Sequence, residues 1–370
     1  MNGRIWHLAF GIWLLAIFLP GCKDGQPRLV IPAFYHWQTN LKLSEAERLY
    51  LDSLHVKKLY VKFFDVDWNV ASGQPVPLAQ VQIDFNHLPG LQIIPTIFIT
   101  NRTLLNLPMP DVDSLAGRIF QKIQDIAIPL ASKRESHGNE LRITEVQFDC
   151  DWTEQTKEKY FRLLEIFKKK ISAGYSYLSP HTSHLSATIR LHQVRFFEKT
   201  GVPPVDKGML MFYNMGQVDE WATGNSILDP GLAKQYLSDG KLRSYPLELD
   251  VALPLFQWGV LFRDGRLVKL INGLSERELN DTSRFIKLAP NRFEVRKSTY
   301  LQGYYLYEGD RLRLEGVTPK LLEEAAVLLG NWFGKPNSQP ELNVAFYHMD
   351  QHIFKSFPHE QLEKTLDKFR

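Results

Sequence analysis

Eight short runs rich in β-branched and aromatic residues recur along the chain, and they constrain its fold more than any other feature. The runs are Val30–Trp37, Val56–Phe64, Gln92–Thr100, Glu145–Asp151, Leu185–His192, Met209–Met215, Leu247–Leu253 and Asn343–Met349. Most are separated by amphipathic helical stretches, including Ser114–Ile126, Glu154–Ile171 and Leu321–Trp332. Strands that alternate with such helices pair in parallel through crossover connections. The sequence therefore predicts an α/β fold, a (β/α)8 TIM-type barrel.

The interval between the seventh and eighth runs departs from this rhythm. Arg263-Asp264-Gly265-Arg266 and Glu308-Gly309-Asp310-Arg311 are predicted to be hairpin-type turns between short strands. We expect residues 256–316 to form a small α+β insertion between strands 7 and 8. The barrel itself is expected to extend over residues 29–370.

The first 21 residues differ from everything that follows. Arg4 supplies a positive charge, and the stretch from Ile5 to Leu19 is apolar except for His7. This stretch is shorter than the roughly 18 residues of a membrane span, which favours a cleaved export signal.

The sequence Leu19-Pro20-Gly21-Cys22 resembles the lipobox of bacterial lipoproteins. The resemblance implies a signal peptide over 1–21, acylation of Cys22 by chains such as palmitate, and a short tether over 22–28. It also implies a protein anchored to a membrane of the bacterial cell envelope, with the outer membrane favoured over the inner. The alternative is a plain secretory signal that happens to contain Cys22.

Charge and cysteine content exclude several classes of function. The chain has 44 Lys plus Arg against 41 Asp plus Glu, a net charge of +3, which does not indicate a nucleic-acid partner. Cys150 is the only cysteine besides Cys22, so no disulfide is expected in the mature chain. No phosphate loop or nucleotide fingerprint is present, and we expect no cofactor. His181, His184 and His192 have only loose metal-like spacing without matching carboxylates, so no metal is expected either.

Alternation within the strands predicts where the chemistry lies. Outward side chains of a barrel strand pack against helices and must be apolar, whereas inward ones can be polar near the mouth. The inward positions are Tyr60, Lys62 and Phe64 on the second strand, Gln147, Asp149 and Asp151 on the fourth, Ser186, Thr188, Arg190 and His192 on the fifth, and Glu248 and Asp250 on the seventh. Of these, Asp151, His192 and Asp250 are expected near the C-terminal strand ends, where barrel active sites form. An unpaired buried charge is costly, so these groups should pair with one another or bind a ligand. A closed ionic core without chemistry is the alternative.

Three short motifs resemble a known family. Val146 to Asp151 (Val-Gln-Phe-Asp-Cys-Asp), Met211 to Asn214 (Met-Phe-Tyr-Asn) and Leu253-Pro254 resemble uncharacterised bacterial proteins with a glycoside-hydrolase-type barrel. They are distantly similar to the chitinase-type glycosidases, whose fourth strand carries alternating carboxylates and whose sixth carries Met-x-Tyr-Asp or Met-x-Tyr-Asn.

The chitinase pattern ends its fourth-strand motif with a Glu general acid. One register places Asp151 on that acid, with Asp149 and Gln147 on the two supporting carboxylates. The other register places Thr153 there. The Ser-x-Gly-Gly motif of the third strand is replaced by Pro95–Asn101.

The resemblance implies hydrolysis of a glycan by carboxylate acid/base chemistry. Asp151 would donate the proton, repulsion from Asp149 would suit it to that role, and Tyr213 would orient a sugar substituent. The candidates for contact with the sugar are Tyr35, Trp37, Lys62, Gln147, Trp152, Arg190, His192, Glu248, Asp250 and Trp258. The rival interpretation is a non-catalytic lipoprotein that binds a glycan or assists envelope assembly, and the missing Glu favours it. Both interpretations imply a carbohydrate partner.

Overall fold

The structure is a computed structural model that describes most of the chain after the N-terminal segment. The described ranges are 28–84, 90–135, 143–172, 184–238, 240–334, 339–350 and 353–370. The predicted export signal, Cys22 and His181 lie outside the described residues. Within these ranges, no helix has both the length and the apolar character required to cross a bilayer.

Eight parallel strands close into a barrel. They are β1 (Leu29–His36), β2 (Lys58–Asn69), β3 (Gln92–Ile99), β4 (Glu145–Asp149), β5 (His184–Arg190), β6 (Lys207–Met211), β7 (Leu249–Pro254) and β8 (Glu341–Tyr347). Each strand pairs with the next in the chain, and β1 closes the ring by pairing with both β2 and β8. The predicted TIM-type barrel is confirmed, and every predicted run falls on one of these strands.

Helices surround the barrel between the strands. They are Glu45–Ser53, Asn101–Asn106, Val112–Glu135, Lys157–Ser172, Leu191–Arg195, Phe197–Thr200, Pro230–Ser238, Pro319–Phe333, Ile353–Ser356 and His359–Asp367. Pro319–Phe333 illustrates why they form. The Thr318 hydroxyl accepts a hydrogen bond from the backbone N–H of Leu321 at 3.2 Å, and Pro319 occupies the first turn. The buried side chains of this helix recur at helical spacing at Leu322, Ala325, Ala326, Leu329 and Phe333.

A β-bulge in β2 changes which side chains face the barrel interior. Lys62 pairs with Thr96, but Phe64 pairs with Ile97, so one extra residue is inserted in β2. Beyond the bulge Asp65, opposite Phe98, shares the inner face with Asp149. The predicted inward position of Phe64 is therefore wrong, because a shift of one residue exchanges the two faces of a strand.

Short additional strands extend the sheet near β2. The end of β2 turns back as an antiparallel hairpin with Gln74–Leu78. Nearby, Asn40–Leu41 pairs in parallel with Gln82–Ile83. The hairpin carries the chain above the end of the barrel at which β2 terminates.

The interval between β7 and Pro319–Phe333 forms the predicted α+β insertion. Its antiparallel sheet contains, in spatial order, Arg266–Asn272, Gln257–Arg263, Arg311–Gly316, Arg292–Val295 and Phe285–Ala289. A hairpin of Thr299–Leu301 with Tyr304–Leu306 and a short helix, Glu276–Leu279, complete it.

The two turns predicted in the insertion differ in kind. Asp264 and Gly265 have φ values of 51° and 74°, as a tight two-residue hairpin requires. Glu308–Arg311 is not a hairpin turn, because it leads from the Thr299–Leu306 hairpin into a strand of the other sheet. The insertion has its own apolar core, made of Leu261, Ile271, Leu274, Leu279, Phe285, Phe293, Val295, Leu301, Leu306 and Leu312.

Candidate functional site

Charged side chains from β2, β4 and the end of β5 lie together on the inner face of the sheet, at the mouth of the barrel. We call this group the mouth cluster; its members are Lys62, Asp65, Asp149, Asp151 and Arg190. Four of them are positions that alternation predicts. The fifth, Asp65, was missed because the sequence gives no sign of the bulge that turns it inward.

Arg190 connects the two carboxylates that leave β4. Its Nε donates to Asp151 Oδ1 at 2.6 Å, and its Nη2 lies 3.9 Å from Asp149 Oδ1. Burial disfavours the charge of this guanidinium, but Asp149 and Asp151 outweigh the burial and raise the pKa of Arg190. The arginine is thus a permanent cation at the mouth.

Asp149 and Asp151 differ in their access to solvent. The Asp149 side chain is 4% exposed and accepts a hydrogen bond from the Thr188 hydroxyl at 2.5 Å. Burial raises the pKa of Asp149, the charge of Asp151 adds to this effect, and Arg190 opposes it. The Asp151 side chain is 50% exposed. A ligand at the mouth would therefore meet Asp151, with Asp149 below it.

Lys62 and Asp65 form the other half of the mouth cluster. The Lys62 ammonium lies 3.0 Å and 3.2 Å from the two carboxylate oxygens of Asp65. It also lies 5.6 Å from the ring centre of Trp37, within the range of a cation–π contact. The pair places a cation and an anion beside an aromatic face.

A continuous strip of half-buried aromatic rings borders the mouth cluster. We call it the aromatic rim; its members in order are Phe98, Trp37, Tyr347, Phe256 and Trp258. The centroids of successive rings are 6.4, 5.6, 5.9 and 5.1 Å apart. The strip runs from β3 across β1 and β8 to the first strand of the insertion. Exposed aromatic faces beside fixed polar groups are typical of small-ligand sites.

Sequence reasoning found only part of this rim. Trp37 and Trp258 were predicted, whereas Phe98, Phe256 and Tyr347 were missed. A signal existed for Tyr347, because alternation along the eighth run places it on the same face as Asn343. Phe256 lies between strands, where alternation gives no direction.

Several predicted contact residues lie below the mouth, in the filled interior. Tyr35 and Gln147 are completely buried, and the Tyr35 hydroxyl donates to Gln147 Oε1 at 2.7 Å. Tyr213 is also buried; its hydroxyl donates to Met211 Sδ at 3.6 Å and its ring stacks on Tyr347 at 5.3 Å. These side chains support the rim from beneath and present no surface to a ligand.

Trp152 has no exposed face for a sugar ring, and His192 lies on a helix just beyond β5. Trp152 is completely buried, and its indole N–H donates to the backbone oxygen of Thr200 at 2.9 Å. His192 is exposed and lies on the helix Leu191–Arg195, just after β5, so it is no inward strand residue. Alternation places Trp152 on the outward face with Cys150, in agreement with its stacking on Tyr160 at 5.1 Å. His192 does lie near the C-terminal end of its strand as predicted, but alternation gives it the wrong direction because β5 ends at Arg190.

Asp250 and Glu248 lie at the opposite end of the barrel. Asp250 is the second residue of β7, so its predicted place near the C-terminal end of that strand is wrong. Lys207 Nζ lies 2.9 Å from Asp250 Oδ1 and 3.1 Å from Glu248 Oε1. Asn343 donates to Asp250 through its backbone N–H at 2.8 Å and its side-chain amide at 2.7 Å. Burial raises the pKa of Asp250 to about 6. This cluster closes the barrel floor and is remote from the mouth.

Neither a metal centre nor a thiolate nucleophile emerges at the mouth. In the part of the chain that the structure describes, no group of three or more His, Cys, Asp or Glu side chains could hold a metal ion. Cys150 is completely buried, and burial raises the pKa of its thiol. The available chemistry is that of carboxylates, a guanidinium, an ammonium and aromatic faces.

Comparison with known proteins identifies other barrels of this architecture. The spore cortex-lytic enzyme SleL of Bacillus cereus aligns with a TM-score of 0.52 at 14% identity, over 94% of this chain and 76% of that one. SleL of Bacillus megaterium QM B1551 aligns with a TM-score of 0.52 at 13% identity and the same coverage. A class V chitinase mutant from the plant Cycas revoluta, in complex with (GlcNAc)3, aligns with a TM-score of 0.51 at 13% identity, over 92% of this chain and all of that one.

The fold is that of the chitinase-type barrels. At these identities the likeness is one of architecture. No protein-family model and no curated protein matches the sequence. The function must therefore be argued from the residues at the mouth.

Proposed function

We propose that the chain binds a glycan across the mouth of its barrel, along the aromatic rim and over the mouth cluster. The observation that carries this proposal is the strip of half-buried rings from Phe98 to Trp258 beside the exposed Asp151 and its partner Arg190. Sugar rings present C–H faces that pack on aromatic rings, and hydroxyls that bond to carboxylates and guanidinium groups. The mouth offers both in one place.

The geometry favours binding over hydrolysis. Glycosidic cleavage needs a carboxylic acid at the leaving oxygen. Asp151 is the accessible carboxylate, and its Oδ1 already accepts from Arg190 Nε at 2.6 Å. Asp149 is enclosed, and Thr153, where one register of the chitinase pattern places the acid, is an alcohol and far too weak an acid to protonate the leaving oxygen. We infer a non-catalytic glycan-binding protein.

Hydrolysis is the second candidate, and one observation favours it. The raised pKa of Asp149, directly below Asp151, provides a carboxyl group that can hold a proton close to the ligand.

Titration with N-acetylglucosamine oligomers, with reducing ends measured in parallel, tests both candidates. These oligomers are the first probe because the Cycas revoluta barrel was solved with (GlcNAc)3; fragments of spore cortex follow, since SleL is named for lysing it. We expect saturable binding without product, and about tenfold weaker binding in Trp37→Ala and Trp258→Ala. Product formation that Asp151→Asn abolishes would establish hydrolysis instead. Absence of binding to any glycan in the panel would refute the proposal.

We also propose that the protein is a lipoprotein of the bacterial cell envelope, anchored through Cys22 and favouring the outer membrane. The lipobox-like sequence supports this. Arg28, at the N-terminal end of β1, donates to the backbone oxygens of Gln339 at 3.0 Å, Phe333 at 3.1 Å and Phe369 at 3.2 Å. The anchored chain would thus join the barrel at its floor and direct the mouth away from the membrane. Labelling with palmitate should be lost in Cys22→Ala, and label retained in that variant would contradict the proposal.

A further inference from the structure

The mouth cluster contains more carboxylates than cations. Lys62 is engaged by Asp65, because its ammonium lies 3.0 Å and 3.2 Å from the two oxygens of that carboxylate. Arg190 is left to serve both Asp149 and Asp151. One guanidinium cannot neutralise two carboxylates, so the mouth lacks one positive charge when all of its members are ionised.

The missing charge is accessible to a ligand at Asp151. Arg190 Nε donates to Oδ1 of Asp151, whereas Oδ2 has no partner among the described residues. The Asp151 side chain is 50% exposed. Burial and the charge of Asp151 raise the pKa of Asp149 just behind it, so a second cation at this point would favour the ionised form of both carboxyl groups.

The two cations of the mouth cluster are poorly placed for an acidic ligand. The side chain of Lys62 is 10% exposed and that of Arg190 is 18% exposed, and both are engaged by carboxylates. The remaining nitrogen of Arg190, Nη1, is buried, and the guanidinium carbon lies 5.7 Å from the ring centre of Tyr213. A carboxylate on a sugar would therefore meet the like charge of Asp151 without gaining a free cation.

The aromatic rim favours the same sign of charge. Phe98, the first ring of the rim, pairs with Asp149 across β3 and β4, so the rim begins beside the two aspartates. The faces of aromatic rings attract ammonium groups. Lys62 shows this attraction within the protein, since its ammonium lies 5.6 Å from the ring centre of Trp37. The carboxylate and the rings thus suit one kind of ligand group, an ammonium.

Ionisable groups that border the mouth do not supply the missing charge. Arg102 donates to Asp67 at 3.1 Å, and Arg313 is paired with Glu315 at 2.6 Å. Partial burial lowers the pKa of His192, which keeps this imidazole neutral at pH 7. The chain as a whole carries a net charge of +3, which does not attract a cationic ligand. A preference for such a ligand must therefore arise locally at the mouth.

We propose that the mouth selects a cationic glycan, one whose sugars carry free amines, and that it binds an ammonium group at Asp151 Oδ2. The inference rests on the proposed function and names the substrate class of that same site. Glucosamine carries an ammonium group where N-acetylglucosamine carries an acetamido group, and it keeps the C–H faces that pack on the rim. Its ammonium supplies the positive charge that Asp149 and Asp151 together lack.

Titration of the whole protein with tetramers of glucosamine and of N-acetylglucosamine tests the proposal. We expect the glucosamine tetramer to bind about tenfold more tightly at low salt and at a pH where its amines are protonated. The preference should shrink as salt is added and disappear at a pH where the amines are neutral. In Asp151→Asn the two tetramers should bind with equal affinity.

Asp113→Asn is the matched control. Asp113 is 54% exposed and paired with an arginine, Arg162, at 2.8 Å, but it lies on the helix Val112–Glu135 outside the barrel. The preference for the glucosamine tetramer should be the same in this variant as in the unaltered protein. Thermal midpoints above the assay temperature will show that both variants are folded.

The outcomes separate failure of this inference from failure of the proposed function. Equal affinity of the unaltered protein for the two tetramers would overturn the inference and leave the proposed function standing. A preference that persists in Asp151→Asn would overturn the assignment of Asp151. Tighter binding of galacturonate tetramers than of either amino-sugar tetramer would overturn it in favour of an acidic glycan. Absence of binding to every glycan would refute the proposed function and the inference together.

Discussion

The ion pair between Arg313 and Glu315 should be the most sensitive point of the insertion. Both side chains are completely buried, and Arg313 Nε donates to Glu315 Oε1 at 2.6 Å. Arg313 also donates to the backbone oxygens of Val218, at 2.9 Å, and of Glu220 in the loop after β6. The other carboxylate oxygen of Glu315 accepts from Trp258 Nε1 at 2.8 Å. The network therefore joins the insertion, the loop and the aromatic rim.

Replacing Arg313 by Leu leaves the Glu315 charge buried without its counter-ion. Breaking such a pair from one side costs about 3–5 kcal/mol, and the carbonyls of the loop lose their donors as well. We expect Arg313→Leu to lower the free energy of unfolding by about 4 kcal/mol. The assay is urea unfolding followed by tryptophan fluorescence.

Arg311→Leu is the matched control on the same strand. Arg311 is 53% exposed and pairs with Glu294 at 3.2 Å, so its loss should cost less than about 1 kcal/mol. The double variant Arg313→Leu/Glu315→Met also removes the unpaired carboxylate, so it should recover most of the free energy of unfolding that Arg313→Leu loses. If Arg313→Leu proved no more destabilising than Arg311→Leu, the reasoning would be refuted.

Three further predictions concern packing and pH. Gly330→Ala should lower the free energy of unfolding by about 1–3 kcal/mol, because the new Cβ would lie 1.9 Å from the Lys368 backbone oxygen. Gly117→Ala, in another helix, would meet nothing closer than 4.0 Å and should raise it by up to about 1 kcal/mol; equal shifts of the thermal midpoint would contradict this. Burial lowers the pKa of His36 from 6.5 to about 4, because the folded protein holds the imidazole in its neutral form. The contribution of His36 to the free energy of unfolding is therefore complete above pH 6.5, and about 3 kcal/mol of it is lost as the pH falls through 4. His36→Leu should flatten that acid loss in urea unfolding between pH 7.5 and 4.5. Burial raises the pKa of Asp250 from 3.8 to about 6, so the contribution of Asp250 to the free energy of unfolding is complete below pH 3.8 and is lost as the pH rises through 6. Asp250→Asn should therefore steepen the loss of stability in acid. Plots of stability against pH that run parallel to that of the unaltered protein would refute both assignments.

The barrel could be predicted from the sequence because its signals are local and repeated. Runs with a two-residue period alternate with stretches of helical period, and each signal needs only a short window. The insertion was visible for the same reason, since its turns interrupt that alternation. Within the strands, alternation correctly directed Lys62, Asp149 and Arg190 toward the barrel axis.

The candidate site was harder to predict because it depends on depth and register. Alternation gives the face of a side chain but not its height, so it could not separate Asp151 at the mouth from Asp250 at the floor. It likewise grouped Gln147, in the filled interior, with the residues of the mouth. The bulge that turns Asp65 toward the mouth arises from tertiary structure, and no residue type in the sequence predicts it.

The last ring of the aromatic rim, Trp258, is held in place by contacts with both the barrel and the insertion. Trp258 contacts Phe256, which packs on Tyr347 of β8, while its indole nitrogen is fixed by Glu315 inside the insertion. The affinity for a sugar that packs on Trp258 would thus depend on the orientation of the insertion. By thermodynamic reciprocity, the factor by which a seated insertion strengthens sugar binding equals the factor by which the bound sugar strengthens the seating of the insertion on the barrel.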